Sequence, residues 1–269
     1  MNCTVPKSDM KVAVIGAGNM GGAMARGWAR AFGGVSVIVS NPSTCKLDAL
    51  RDEFPDISVT PDNADAARSA DIVVIAVKPW KMQEVVGGMR DVLANRCKTV
   101  VSVAAGVEPD EIERMIGGDE MPAIIYAIPN TAVSTGHGMI FYTASASTDA
   151  NRCEQMERLF APLGVSRKVE LRQMSAGMAV ASCGIAYAMR YIRAAVEGGV
   201  ELGLRPEEAQ IAVMQTLAGA VALLDANGTH PEQEVDKVTT PGGITIRGLN
   251  AMEEAGFTAS VIRGLRASR

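Results

Sequence analysis

Residues 11–32 constrain this 269-residue chain more than any other stretch. A short β-branched run, KVAVI at 11–15, leads directly into Gly16, Ala17, Gly18, Asn19, Met20 and Gly21, and residues 22–32 then read as a helix. A strand that ends in G-x-G-x-x-G and opens a helix has the context of a dinucleotide-binding βαβ turn. Gly16 permits the tight turn, Gly18 lets a pyrophosphate approach the backbone, and Gly21 lets the helix pack close to the strand. The helix start offers free N–H groups and partial positive charge to the phosphates.

The same alternation continues down the chain. Residues 35–39, 57–60, 71–77, 100–104 and 123–127 read as buried strands, and 139–143 and 165–170 as candidate edge strands. Helical stretches such as 46–53 lie between them, so residues 1–169 predict an α/β, Rossmann-type doubly wound parallel sheet. Beyond about residue 170 the pattern changes. Residues 174–196 and the helix opened by Pro206 are apolar on nearly every face. A domain of about a hundred residues cannot easily bury such helices alone. Residues 170–269 therefore predict an all-helical substrate and dimerisation domain that packs against a second copy; a monomeric bundle on the first domain is the plainer alternative.

Composition closes off other classes. Net charge is −4, which gives no nucleic-acid footprint. Any phosphate must be held locally, by backbone amides and a few cations. The five cysteines (Cys3, Cys45, Cys97, Cys153, Cys183) show no C-x-x-C spacing, and His137 and His230 lie far apart, so no metal site is expected. An odd cysteine count over this length predicts thiols in a reducing compartment. Residues 1–10 lack the apolar run of a signal peptide, and 72–77, the longest clean apolar stretch, is too short to cross a bilayer. A cytoplasmic protein without a membrane partner is the expectation.

The end of the second strand selects the dinucleotide. An NAD enzyme usually carries a carboxylate there for the ribose hydroxyls. This chain has Ser40, Asn41, Pro42 and Ser43 instead, which removes a repulsion against a 2′-phosphate and favours NADPH over NADH. Ala76, Val77, Lys78 and Pro79 follow the 71–77 strand, and Ala104, Ala105 and Gly106 follow the next, at the strand ends where ligands bind in such sheets. Lys78 reads equally well as a solvated surface lysine.

The chemistry is narrowed by what is missing. Reduction of a ketone needs a proton donor, yet residues 174–196 hold no Lys, and the cations there, Arg190 and Arg193, donate protons poorly. A cyclic imine can bind already protonated, so its carbon accepts hydride without a strong protein acid. The site then supplies orientation, desolvation and an anchor for the other charges. Thr240, Pro241, Gly242, Gly243, Ile244 and Thr245 precede a helix over 244–255. Thr240 or a neighbour can cap it, the glycines expose amides that suit a carboxylate, and Thr245 adds a hydroxyl. A well-capped helix start without a ligand is the alternative.

Five stretches carry a resemblance: VIGAGNMGG (14–22), AVKP (76–79), VSVAAGV (101–107), Pro129-Asn130-Thr131 and DKVTTPGGITIRGL (236–249). Along nearly its whole length the chain resembles pyrroline-5-carboxylate reductase. The resemblance implies NAD(P)H-dependent reduction of 1-pyrroline-5-carboxylate to L-proline, the last step of proline biosynthesis. It implies that Thr240 to Thr245 holds the substrate carboxylate, that Thr245 lies near the ring nitrogen as the catalytic hydroxyl, and that Asn130 joins the substrate site. It also implies that Asn63 contacts the adenosine phosphate, and that the chain forms a homodimer or a ring of dimers. Several positions depart from the family pattern: Tyr126 for a common Arg, Ala132 for Pro, His137 for an acid, and Ala181-Ser182-Cys183-Gly184-Ile185 for S-G-S-G-P. Those departures leave open a paralogue acting on another cyclic imine, or a catalytically weak NADP-binding regulatory protein.

Overall fold

A computed structural model describes residues 10–269. Residues 1–9, with Cys3 and most of the segment read for a signal peptide, lie outside the described residues. By contacts the chain divides into two units, one running to Ser182 and one from Cys183 to Arg269.

The first unit alternates strands and helices. In order these are β1 (Val12–Ile15), α1 (Asn19–Phe32), β2 (Val37–Ser40), α2 (Thr44–Glu53), β3 (Ser58–Thr60), α3 (Asn63–Arg68) and β4 (Ile72–Ile75). There follow α4 (Met82–Gly87), α5 (Arg90–Leu93), β5 (Thr99–Ser102), α6 (Pro109–Ile116), β6 (Ala123–Pro129), β7 (Gly138–Ala144), α7 (Ala150–Phe160) and β8 (Gly164–Lys168). One sheet has the order β3-β2-β1-β4-β5-β6-β7-β8. The strands β1, β2, β4 and β5 are buried throughout, as runs such as VAVI and IVVI require when helices cover both faces. One face packs on α1, α2 and α7 through Met24, Trp28, Leu50, Met156 and Phe160. The other packs on α3 to α6 through Ala67, Met82, Leu93 and Ile112. Each fully buried side chain of this size contributes roughly 1.5–3 kcal/mol. The indole of Trp28 also donates to the Leu159 carbonyl at 2.8 Å, so α1 and α7 are fixed together.

Three expectations are corrected here. The sheet is not parallel throughout: β7 runs antiparallel to β6, and β8 lies parallel to β7. Only eight residues separate β6 from β7, too few for the crossover a parallel neighbour needs. Consequently, of the two candidate edge strands, β7 is interior and β8 is an edge, with β3 at the opposite edge. Helix α1 starts at Asn19, inside the glycine motif, rather than at Gly22. Cys97 is disulfide-bonded, so the expectation of thiols applies to Cys45, Cys153 and Cys183.

The stretch after residue 170 begins in the first unit. Helix α8 (Met174–Gly177) leads through a wider π turn, Met178–Cys183, into α9 (Gly184–Glu201). Met174 packs on Tyr126 and Ile128, and a side chain at Gly177 would collide with the Phe141 ring at 2.7 Å. That packing explains why the contact division falls after Ser182 rather than at residue 169.

The second unit continues with α10 (Pro206–Asn227), α11 (Pro231–Val238), α12 (Ile244–Glu254) and α13 (Phe257–Ala267). Gly199 lets α9 and α10 approach closely, a built Cβ lying 3.1 Å from that of Ala209. Tyr187 of α9 donates to the Gly264 carbonyl of α13 at 3.2 Å. Met189, Ile211, Met214, Val221 and Leu223 remain exposed. Helix α10 is long and apolar enough to cross a bilayer by length and composition, which corrects the expectation that no stretch is. Alternation of small residues and spaced polar ones, such as Gln210 and Gln215, hid its length from a search for unbroken apolar runs.

Candidate functional site

The sheet order reverses between β1 and β4, so a crevice opens beyond their carboxyl ends, where such sheets bind ligands. The glycine motif and the Ala76–Pro79 segment both emerge there. Gly16 has φ +105, and a Cβ on it would lie 2.8 Å from the Ala76 carbonyl oxygen. At Gly21 a Cβ would lie 2.0 Å from the Gly16 oxygen and 2.9 Å from the Ala76 Cβ. Gly18 differs: nothing lies within 4 Å of its Cβ position, and its φ of −74° suits any residue. Folding therefore demands glycine at 16 and 21 but not at 18.

Gly18 is also the N-cap of α1, and no side chain caps that helix. Its first-turn amides, including those of Asn19 and Met20, are left for a ligand. An uncapped helix start beside an open, Cβ-free position fits a pyrophosphate in charge and in space. A cleft of about 430 Å³ runs from Ala17, Gly18 and Asn19 to Arg26, Lys46 and Ser134. Lys46 was missed in the sequence. Its signal is position: it stands in the first turn of α2, three residues beyond Ser43.

The β2 end has a largely internal hydrogen-bond arrangement. Asn41 is buried; its Oδ1 accepts from the Ala17 amide at 3.0 Å and its Nδ2 donates to the Ser43 carbonyl at 3.2 Å. Asn41 thus braces the glycine turn. The buried Ser40 hydroxyl donates to Asn63 Oδ1. Asp62 caps α3 by accepting from Ala64 and Asp65, which fixes Asn63 as its first helical residue. Ser43, the N-cap of α2, makes no side-chain cap, so that helix start is open as well. Lys78 lies 6.0 Å over the ring of the exposed Trp80.

Beyond β5 the loop amides of Ala104–Gly106 are partly spoken for. Ala104 N donates to Ser102 Oγ at 3.3 Å, and Gly106 N donates to the Tyr126 hydroxyl at 2.9 Å. Burial is the main reason that phenol titrates above its ordinary value. Asn130 is buried, and both ends of its side-chain amide are hydrogen-bonded. Its Oδ1 accepts from Ala132 N at 3.2 Å and Met139 N at 3.4 Å, and its Nδ2 donates to the Ala181 carbonyl of the π turn at 3.3 Å.

In the second unit, the segment from Thr240 to Thr245 forms a tight turn into α12. Gly243 N donates to the Thr240 carbonyl at 2.9 Å, and Gly242 has φ +69. A Cβ on Gly243 would lie 2.6 Å from Thr240 Oγ1. Of the two options, Thr240 or a neighbour, the N-cap is the neighbour Gly243, without a side-chain bond. Thr240 uses its carbonyl to close the turn instead, so the amides of Ile244 and Thr245 start the helix uncapped. Among the described residues no three His, Cys, Asp or Glu side chains group together as a metal site would need.

Comparison with known proteins places this geometry. Residues 172–269 match the family described as pyrroline-5-carboxylate reductase dimerisation, and residues 11–106 match NADP oxidoreductase coenzyme F420-dependent. The pyrroline-5-carboxylate reductase of Escherichia coli is 32% identical over 96% of this chain and 95% of its own length. The chain belongs to the pyrroline-5-carboxylate reductase family. Pyrroline-5-carboxylate reductase 1 of Dictyostelium discoideum is 33% identical over 96% of the chain, which spans 48% of that longer protein. The pyrroline carboxylate reductase of Plasmodium falciparum, solved with NADP bound, superposes with a TM-score of 0.88 at 26% identity, covering 98% of this chain and 97% of that one. In this chain the Tyr126 hydroxyl binds the Gly106 amide, and the Ala181 carbonyl takes the Asn130 hydrogen bond.

Proposed function

We propose that this protein reduces 1-pyrroline-5-carboxylate to L-proline with NADPH, in the last step of proline biosynthesis. Family membership along the whole chain supports the reaction. The observation that carries the reading is the Cβ-free, uncapped start of α1 at the sheet's switch point, which suits a dinucleotide pyrophosphate. The cofactor supplies a hydride from its dihydronicotinamide ring. Gly16, Ala17, Gly18, Asn19, Met20 and Gly21 hold the pyrophosphate through backbone amides. Ser40, Asn41 and Asn63 shape the pocket for the 2′-phosphate, which meets no carboxylate at the β2 end. Ala76, Val77, Lys78 and Pro79, with Ala104, Ala105 and Gly106, border the nicotinamide half.

The uncapped turn of α12 grips the substrate. The amides of Ile244 and Thr245, presented by Gly242 and Gly243, bind the carboxylate, helped by the helix's positive end. Thr240 closes the turn through its carbonyl. The Thr245 hydroxyl orients the ring nitrogen, which arrives protonated, so no strong protein acid is required. Asn130, which the resemblance assigns to the substrate site, holds the Ala181 carbonyl of the π turn. The exposed apolar faces of α9 and α10 belong against a second copy, consistent with the match to a dimerisation domain. A cytoplasmic homo-oligomer follows from this reading.

The departures at Ala181 and Cys183, inside the π turn, and at Ile185, just after it, favour one second reading, a paralogue that reduces a different cyclic imine. Steady-state NADPH oxidation separates the two. Pyrroline-5-carboxylate should give the highest kcat/KM against pyrroline-2-carboxylate and the six-membered homologue. A reversed order supports the paralogue, and tight NADPH binding without any oxidation points to a regulatory protein.

A further inference from the structure

Tyr126 is the polar exception in an apolar cluster. It is buried with Ile128 and Met174, and Phe141, Val169 and Met178 pack around them. Among the described residues the one hydrogen bond its hydroxyl makes is the one it accepts from Gly106 N, 2.9 Å away. Strand register explains the reach. Tyr126 stands beside Ser102 across the β5–β6 ladder, and the loop of interest leaves β5 just after Ser102. Ser102 takes the Ala104 amide, Tyr126 takes the Gly106 amide, and Val107 N donates back to the Ala104 carbonyl at 3.2 Å. Two adjacent strand-end side chains thereby pin successive points of one short loop. Gly106 itself sits at φ +80, a conformation open to glycine, so the turn there brings its amide to Tyr126 without strain. Among the described residues the Ala105 amide between the pinned points takes no partner.

We propose that Tyr126 is a positioning residue for the nicotinamide half of the cofactor: by clamping the Gly106 amide it fixes the Ala104–Gly106 backbone against which that half lies. The inference rests on the dinucleotide reading above. It assigns a role to a position where the family commonly carries Arg, and it acts through the loop without contact to the reacting atoms.

The test is Tyr126→Phe in the full chain, which removes one oxygen and keeps the ring that fills the cluster. The exposed Gly106 N–H can turn to water, so the fold is retained. Calorimetry then measures NADPH and 2′-phospho-ADP-ribose, the same molecule without its nicotinamide. The variant should bind NADPH about fivefold more weakly, the scale of one neutral hydrogen bond. Its affinity for 2′-phospho-ADP-ribose should match wild type, and its Tm should fall by no more than about 4 °C, the scale of the same hydrogen bond. Equal weakening of both ligands means a general structural defect and overturns the proposal, as does unchanged NADPH affinity. If wild-type protein binds neither compound, the dinucleotide reading has failed and this inference fails with it.

Discussion

Substituting Gly18 and Gly21 separately by alanine distinguishes what the fold needs from what the ligand needs. At Gly18 the backbone is compatible with alanine and the new methyl meets nothing within 4 Å. Two small terms then oppose each other. Reduced freedom of the unfolded chain stabilises by about 0.4–1 kcal/mol. Loss of a favourable N-cap residue costs about as much. Tm should therefore move by no more than about 3 °C. The methyl does occupy the space left for the pyrophosphate. Overpacking of roughly 1–3 kcal/mol weakens NADPH by about 5- to 150-fold. Gly21→Ala behaves differently, because its Cβ would lie 2.0 Å from the Gly16 carbonyl oxygen, an atom of the backbone. It should cost about 3 kcal/mol or more, lower Tm by roughly 6 °C or more, and weaken NADPH as well. Thermal unfolding and calorimetric titration of both variants give the comparison. Wild-type NADPH affinity in Gly18→Ala, or an unchanged Tm in Gly21→Ala, would refute the reasoning about this turn.

Other expectations follow from the same geometry. Thr245→Ala should lower turnover by about ten- to a hundredfold, the scale of a hydrogen bond to a charged group, and leave NADPH affinity unchanged in calorimetry. Loss of cofactor binding without loss of catalysis per bound cofactor would remove the loop from the substrate site. Asn63→Ala should weaken NADPH about fivefold and leave NADH unaffected, since only NADPH carries the 2′-phosphate. Glu53 accepts from Arg26 Nε at 2.5 Å and from Arg30 at 2.9 Å. The Arg26 hydrogen bond is the chief reason its carboxyl titrates below the ordinary 4.5. A lowered folded-state pKa means the contribution is complete above pH 4.5 and is lost as pH falls through the lowered value. In Tm measured against pH, Glu53→Gln should show a shallower acid decline than wild type.

The parts legible in the sequence are those with local causes. Strand β1, the glycine turn and α1 each announce themselves through residue type and spacing; β4 is an unbroken β-branched run, and so is β5 up to Ser102. The reversed direction of β7 was hidden, because nothing in GMIFYTA encodes direction; only the short link from β6 does. The Asn41 brace was also hidden. An amide near a phosphate site reads as a ligand contact, and only the fold shows its oxygen committed to Ala17. The Tyr126–Gly106 bond joins residues twenty apart in sequence through strand register, which no spacing rule reports. The π turn at Met178–Cys183 likewise depends on packing around Gly177 and the Asn130 side chain rather than on helix propensity.

The most direct measurement of the central claim follows the hydride itself. The protein is incubated with NADPH carrying deuterium at both C4 positions and with 1-pyrroline-5-carboxylate, and the product is examined by mass spectrometry and NMR. The account predicts L-proline carrying one deuterium at C5, formed in step with oxidised cofactor. Proline without the label, or no proline despite bound cofactor, would contradict it.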